Sequence, residues 1–121
     1  MSADREPQLR LKDMRDAARK ILERTSAGRE RFMSDELLQV WVIHHLEIIG
    51  EAASSVDPRT RRTHPEIDWV AASYMRNRLI HGYFDIDLDI VWETVERDVP
   101  MLLGQVMAVL EALGCDTTVD S

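Results

Sequence analysis

Apolar side chains recur along most of the chain at intervals of three and four residues, which is the spacing of an amphipathic α-helix. A first helix is predicted over residues 8–26, where the stripe that would face the core consists of Leu11, Met14, Ala18, Ile21, Leu22 and Thr25. The tripeptide Ser26-Ala27-Gly28 ends this helix. No segment alternates between apolar and polar residues for long enough to predict a β-strand. The pattern therefore predicts an all-α protein.

A second helix is predicted to begin after Ser34, whose side chain can cap it. Asp35 and Glu36 would occupy the first turn, where the helix dipole favours negative charge. The predicted buried stripe of this helix is Leu38, Trp41, His45, Ile48 and Ala52, widened by Leu37 and Ile49. The segment 55–58 closes the helix, and a basic connector follows it.

A third helix is predicted to begin around Pro65 or Ile67, and the segment 85–114 is a fourth helical region. The stripe of the fourth region is Val91, Val95, Val99, Leu102, Val106, Leu110 and Leu113. Pro100 lies inside that stripe and lacks a backbone N–H, so we expect a kink or a break there. The predicted fold is an up-and-down four-helix-type bundle with a kinked or broken last helix.

The length of 121 residues, of which 45% are hydrophobic, predicts a single domain with one modest core. We expect that core to span about residues 8–113, and residues 114–121 to form a flexible tail. A single cysteine, Cys115, gives no disulfide framework. No apolar run reaches the ~18 residues of a membrane span, and the N-terminus lacks the apolar core of a signal peptide. A cytoplasmic protein with no membrane association is therefore expected.

The formal net charge of −7 argues against a protein that grips nucleic acid by phosphate neutralisation alone. Five basic residues nevertheless fall within twenty positions and form a local basic strip: Arg59, Arg61, Arg62, Arg76 and Arg78. This strip could hold RNA briefly or dock an acidic partner. A solvated charged face explains the same residues, and both interpretations remain open.

The acidic segment that follows residue 84 has the ligand spacing of a calcium loop. Asp85, Asp87, Asp89 and Glu96 fall at relative positions one, three, five and twelve. The sixth position should be glycine for the sharp turn, and here it is Ile90. Helix capping by Asp85 or Asp87 explains the carboxylates more simply, so no calcium site is predicted.

The segment 44–51 gathers His44, His45, Glu47 and Glu51. Metal-binding bundles use Glu-x-x-His pairs on facing helices, but here the order is reversed and no second copy exists. His45 lies on the apolar stripe and is interpreted as a core or interface histidine. Neither a metal ion nor a cofactor is predicted.

The stretch 75–84 concentrates side chains suited to acid/base chemistry on a phosphodiester. His81 can take or give a proton near neutrality, Arg76 can hold a phosphate, and Asn77, four residues before the histidine, can orient it. Arg76 and His81 are about 140° apart on a regular helix, but Gly82 can end the helix and relax that separation. These residue types suffice for RNA cleavage without a metal ion. A basic helix end and a stray core histidine remain alternatives.

The motif and its surroundings resemble the HEPN superfamily, specifically the HepT-type toxins of HEPN/MNT toxin–antitoxin systems. The family pattern of arginine, a polar residue, three more residues, histidine, any residue and tyrosine is complete from Arg76 to Tyr83. The segments "LEIIGEAA", "PEIDWVAASYMRN" and "GYFDIDLDIVWETVERDVPML" also look like the corresponding parts of the family. The similarity covers roughly residues 8–113.

The resemblance implies a homodimer in which the motifs of two protomers line one cleft that cleaves RNA without a metal ion. His81 would be the acid/base residue, Arg76 the phosphate binder and Asn77 a polar helper. The implied partner is a minimal nucleotidyltransferase (MNT) antitoxin of a type VII-like system, which transfers AMP to Tyr83 and blocks the site. A non-catalytic helical module that binds nucleotide or scaffolds the transferase is the alternative.

Overall fold

The computed structural model describes the backbone of residues 5–80 and 86–114, and the side chains of 7–76 and 86–114. Within these ranges there is no β-strand, so the all-α prediction is confirmed. The helices are α1 Arg5–Arg24, α2 Arg29–Ser34, α3 Glu36–Ser55, α4 Pro58–Thr63, α5 Trp69–Ile80, α6 Leu88–Glu93, a π-helical turn Thr94–Asp98, and α7 Val99–Ala112.

In the part of the chain that the structure describes, the bundle is formed by four helical regions: α1, α3, α5 and the region from α6 to α7. Helix α1 packs against α3 and α7, and α3 packs against α5. The predicted stripes of α1 and of the region from α6 to α7 are buried in this core, except that Leu22 is partly buried and Leu113 is 40% exposed. The fully enclosed residues include Leu11, Met14, Ile21, Val106 and Leu110. None of the described helices combines the length and apolar character that crossing a bilayer requires.

The predicted stripe of α3 is confirmed in part. The buried members are His45, Ile49 and Ala52, and the partly buried members that pack against the core are Leu38, Trp41 and Ile48. The fully buried positions of α3 centre on Val42, Leu46, Ile49 and Ala53, whereas Leu37 is 83% exposed. The reason is that α3 contacts α1 and α5 on two sides. Spacing alone does not show where two neighbouring helices lie, so the sequence missed the buried positions Val42, Leu46 and Ala53.

The start of α3 also differs from the prediction. Ser34 is the last residue of the short helix α2, and Asp35 is the cap of α3. The Asp35 carboxylate accepts a hydrogen bond of 3.1 Å from the N–H of Leu38. The segment predicted as a basic connector contains α4, with Pro58 in its first turn. Both short helices are six residues long, too short for a periodic apolar stripe to reveal them.

The predicted interruption near Pro100 is confirmed, and it takes the form of a π-helical turn just before the proline. The N–H of Val99 bonds to the carbonyl of Thr94, five residues back. Because Pro100 has no N–H to donate to an earlier carbonyl, the α-helical bonding pattern cannot pass through this region unchanged. The helix therefore continues from α6 into α7 with a local change of hydrogen bonding.

Candidate functional site

Helix α5 lies unusually close to α3 where Arg76 passes Gly50. A Cβ added to Gly50 would lie 2.7 Å from the backbone nitrogen of Arg76, and closer still to the Arg76 Cβ. Real side chains do not approach so closely, so the crossing requires a residue without a Cβ. Gly50 thus sets how closely the two helices approach, and with it the position of the Arg76 backbone.

The guanidinium of Arg76 forms an ion pair with the residue that follows this glycine. Its Nη1 atom lies 3.2 Å from Oε2 of Glu51, and the two side chains are 43% and 62% exposed respectively. The pair is therefore largely solvated, and the arginine, which stays protonated in proteins, can be reached by a dissolved anion. Arg76 is thus placed where a phosphate group could bind.

Arg76 and Glu51 stand on the wall of a groove of about 420 Å³ formed by α1, α3 and α5. The residues lining it are Arg10, Asp13, His44, Glu47, Ile48, Glu51, Ala52 and Arg76. The two arginines are outnumbered by three carboxyl groups, so the groove offers local cationic contacts without a broad positive field. Such a site suits one phosphodiester better than a long stretch of backbone.

Asp13 titrates in an altered environment within this groove. Burial raises the pKa of its carboxyl above the usual value, and the nearby Asp16 raises it further, while Arg10 acts in the opposite direction. Asp13 therefore takes up a proton at a higher pH than a solvated aspartate does.

His45 is a buried core residue, as predicted. Its Nδ1 atom lies 2.8 Å from the carbonyl oxygen of Trp41, and its ring lies against the Trp41 ring at a centroid distance of 3.9 Å. Burial lowers the pKa of His45, chiefly by removing water from the charged form. The neutral ring can donate its Nδ1–H to the carbonyl, which gives His45 a structural role. His44 instead lines the groove.

The described residues contain no group of histidine, cysteine, aspartate and glutamate arranged to hold a metal ion. In the acidic segment, Asp87 caps α6 by accepting bonds of 2.9 and 3.4 Å from the N–H groups of Asp89 and Ile90. Asp89 pairs with Arg29. Asp85, the first position of the calcium spacing, lies outside the described residues. Capping by Asp87 is thus confirmed.

The arginines of the basic strip are used in different ways. Arg61 donates hydrogen bonds to the carbonyl oxygens of three residues at the end of α3, at 3.0–3.2 Å: Ala53, Ser54 and Val56. Arg61 therefore satisfies carbonyl groups at the C-terminal end of α3 that have no partner within the helix.

Two further arginines of the strip lie elsewhere. Arg59 lines a second groove, of about 340 Å³, beside the start of α1, and Arg62 is exposed. The two grooves are lined by different residues, so Arg59 is not among the groups around Arg76.

The remaining predicted site residues lie at or beyond the end of α5. Asn77 and Arg78 are part of that helix, but their side chains are outside the described residues. His81 and Tyr83 lie in the segment 81–85, which is also outside them. The juxtaposition of Arg76 with His81 therefore stays a prediction.

Sequence reasoning missed the role of Gly50 and the groups that α1 brings to the groove. Arg10 and Asp13 are far from the motif in sequence, and only the packing of α1 against α3 places them nearby. Gly50 did carry a signal. An isolated glycine inside a helix lowers helix stability relative to alanine, so its presence there can indicate a packing requirement.

The chain is similar to a family described as ribonucleases and to proteins named as probable or putative ribonucleases. The model of the family described as "Ribonuclease HepT-like" matches residues 14–109. A protein of Thermococcus cleftensis named "Probable ribonuclease HepT" is 45% identical over 76 residues, which cover 63% of this chain and 69% of the relative.

Two further relatives carry the name "Putative RNase". One, from Caldanaerobacter subterraneus subsp. tengcongensis, is 37% identical over 82 residues, covering 68% of this chain and 73% of the relative. The other, from Methanocaldococcus jannaschii, is 34% identical over 97 residues, covering 79% and 89%. No solved structure gives a significant match.

Proposed function

The chain belongs to the HepT-like ribonuclease family, and from this premise we propose that it is a metal-independent endoribonuclease acting through Arg76, Asn77 and His81. The observation that carries the proposal is the placement of Arg76. Its guanidinium is held at a groove wall, charged and open to solvent. An arginine so placed can bind one phosphate of an RNA chain.

The proposed reaction uses the neighbouring 2′-hydroxyl of RNA as the nucleophile. A base removes its proton, the oxygen attacks the adjacent phosphorus, and the bond to the 5′-oxygen breaks as that oxygen receives a proton. His81 would handle one or both of these proton transfers, because imidazole titrates near neutral pH. Arg76 would stabilise the charge that builds on the phosphate oxygens, and Asn77 would orient the imidazole or the substrate.

Purified, unmodified protein should cut single-stranded RNA in the presence of EDTA. The proposed proton transfers and charge stabilisation come entirely from side chains, so removal of divalent ions should leave the cleavage rate unchanged. The measurement is a gel-resolved time course with a labelled RNA. Products should carry a 2′,3′-cyclic phosphate, and substrate with a 2′-deoxy sugar at the cleavage point should be resistant. Cleavage that stops in EDTA and returns with added Mg²⁺ would contradict the proposal.

We propose that the active form is a homodimer with one shared cleft. A 121-residue chain has little material with which to enclose a site, and α3 presents apolar side chains to solvent at Leu37 and Val40. Burying such residues against a second copy around a two-fold axis would remove them from water.

Light scattering at micromolar concentration should give twice the 13.9 kDa mass of the chain. A stable monomer that retains RNase activity would exclude the shared cleft.

The proposed partner is an MNT nucleotidyltransferase that switches the enzyme off within a toxin–antitoxin system. In the proposed reaction the phenol oxygen of Tyr83 attacks the α-phosphorus of ATP, forming a phosphodiester to AMP and releasing pyrophosphate. The added group is anionic and lies seven positions after Arg76 in sequence. It would compete with RNA for the arginine and repel an incoming phosphate. RNA and ATP both occur in the cytoplasm, which we propose as the compartment.

Replacing Tyr83 with phenylalanine should leave RNA cleavage largely intact and abolish neutralisation by the partner. Phenylalanine keeps the ring but lacks the oxygen that accepts AMP. Co-expression of each form with the transferase, followed by mass spectrometry of the motif peptide, checks this prediction. Unmodified Tyr83 in a fully neutralised wild-type complex would instead indicate masking by protein–protein contact.

The second candidate function is a non-catalytic module that binds nucleotide or scaffolds the transferase. The observation that favours it is the excess of carboxyl groups around Arg76, because Asp13, Glu47 and Glu51 oppose binding of a long polyanion. The EDTA assay separates the two candidates. A module of this kind would bind ATP or the transferase and leave RNA intact.

A further inference from the structure

Two consecutive residues of α3 contact Arg76 at the two ends of its side chain. Gly50 allows the Arg76 backbone to approach at the root of the side chain. Glu51 contacts its far end, with Oε2 lying 3.2 Å from Nη1. We propose that Glu51 is a positioning residue that holds the Arg76 guanidinium in the orientation needed to bind the RNA phosphate. This inference rests on the proposed role of Arg76 as the phosphate binder.

The geometry of the ion pair leaves most of the arginine available. A guanidinium carries five N–H donors in a planar fork. The contact with Glu51 involves one terminal nitrogen, Nη1. A phosphate can therefore engage the other edge of the fork through two parallel hydrogen bonds without displacing the carboxylate. Glu51 and the phosphate can act on the same arginine together.

Restraint of the guanidinium matters because arginine is long and flexible. A free arginine side chain samples many rotamers, and ordering it on the substrate costs conformational entropy. With its root fixed at the Gly50 crossing and its tip held by Glu51, Arg76 is ordered before RNA arrives. Preorganised groups of this kind stabilise transition-state charge more effectively than mobile ones.

Two other roles for Glu51 predict different results. A masking role, in which the carboxylate competes with RNA for the arginine, predicts that removing its charge increases cleavage. A purely structural role predicts a loss of stability with unchanged turnover per folded molecule. The large exposure of both partners argues against the structural role, because solvated ion pairs add little stability.

The test compares Glu51→Gln and Glu51→Ala with wild type under steady-state conditions. Glutamine keeps the shape and loses the charge, whereas alanine removes both. We expect kcat to fall about two- to fivefold in Glu51→Gln, and at least as far in Glu51→Ala, because Arg76 is less well oriented once this partly solvated ion pair is lost. KM for RNA should stay the same or decrease, because a negative charge has left the groove. The melting temperature should be unchanged.

The matched control is Glu93→Gln. Glu93 also pairs with an arginine, Arg97, at 3.1 Å with both side chains exposed, and it does not line the groove. Its removal should change neither kcat nor KM. A rise of kcat in the Glu51 variants would show masking, and a loss of stability with unchanged kcat would show a structural role. Either result would overturn the proposal.

A second measurement does not depend on RNA cleavage. Side-chain ¹⁵N relaxation of the Arg76 guanidinium, assigned with Arg76→Lys, should show restricted motion in wild type and faster motion in Glu51→Gln. If wild type cuts no RNA, the proposed function fails, and the relaxation data alone decide whether Glu51 restrains Arg76. Equal mobility in the two proteins would overturn the positioning role even where cleavage is observed.

Discussion

Replacing Arg76 with alanine should lower the rate of RNA cleavage by about 10²-fold or more. The guanidinium is the group proposed to bind the phosphate and to stabilise the charge that develops on it. Alanine removes all of its hydrogen-bond donors. Lysine at the same position should recover part of the loss, since it restores the positive charge but lacks the planar fork. The measurement is the single-turnover rate with saturating protein.

The fold should survive this change. The close contact with Gly50 is made by the backbone and Cβ of Arg76, which alanine retains. The lost ion pair is solvated, and pairs of this kind contribute about 0–1 kcal/mol. The melting temperature therefore tests whether lost activity reflects lost structure. Arg97→Ala removes an arginine that is 71% exposed and paired with Glu93, so it should change neither rate nor stability.

His81→Ala belongs in the same series and should also lose about 10²-fold in rate, the usual scale for an acid/base group. Combining it with Arg76→Ala should cost less than the product of the single effects, because the two side chains act on one transition state. Full activity in both single variants, with the fold intact, would refute the assignment of the motif as the catalytic site.

The sequence predicted the long helices well because each carries several turns of apolar periodicity. The stripe of α1 and most of the stripe of α7 are buried as expected. The short helices α2 and α4 were missed, since six residues provide fewer than two turns. Pro100 predicted an interruption, but a missing backbone N–H does not by itself specify that the interruption is a π-helical turn.

The candidate site was predictable only in part for a related reason. The types of residue in the motif predict phosphodiester chemistry, and that assignment stays a prediction. The structure places the partly exposed Arg76 side chain on the wall of a groove. The contributions of Arg10 and Asp13 depend on the contact between α1 and α3, which no local pattern specifies. Spacing also did not distinguish Arg61, which caps α3, from its solvent-exposed neighbour Arg62.

Replacing Gly50 with alanine should destabilise the protein by about 1–3 kcal/mol, the usual range for added bulk at a tightly packed contact. The new methyl group would lie 2.7 Å from the Arg76 backbone nitrogen, and a backbone atom cannot swing aside as a flexible side chain can. Helix α5 must therefore shift away from α3. Chemical denaturation measures the stability loss. RNA cleavage should fall as well, because a misplacement of about 1 Å in a reacting group can cost about 10²-fold.

Gly104→Ala provides the matched control because Gly104 also lies within a helix, α7, but has nothing within 4 Å of an added Cβ. There alanine should stabilise the protein by about 0.5–1 kcal/mol through its better helix propensity, with cleavage unchanged. Alanine brings the same gain in helix propensity at position 50. If the change in stability has opposite signs in the two variants, the difference therefore measures the steric cost of the α3–α5 contact. A stabilised and active Gly50→Ala would mean that the two helices do not meet this closely. The position of Arg76 would then depend on the Glu51 ion pair without the support of helix packing.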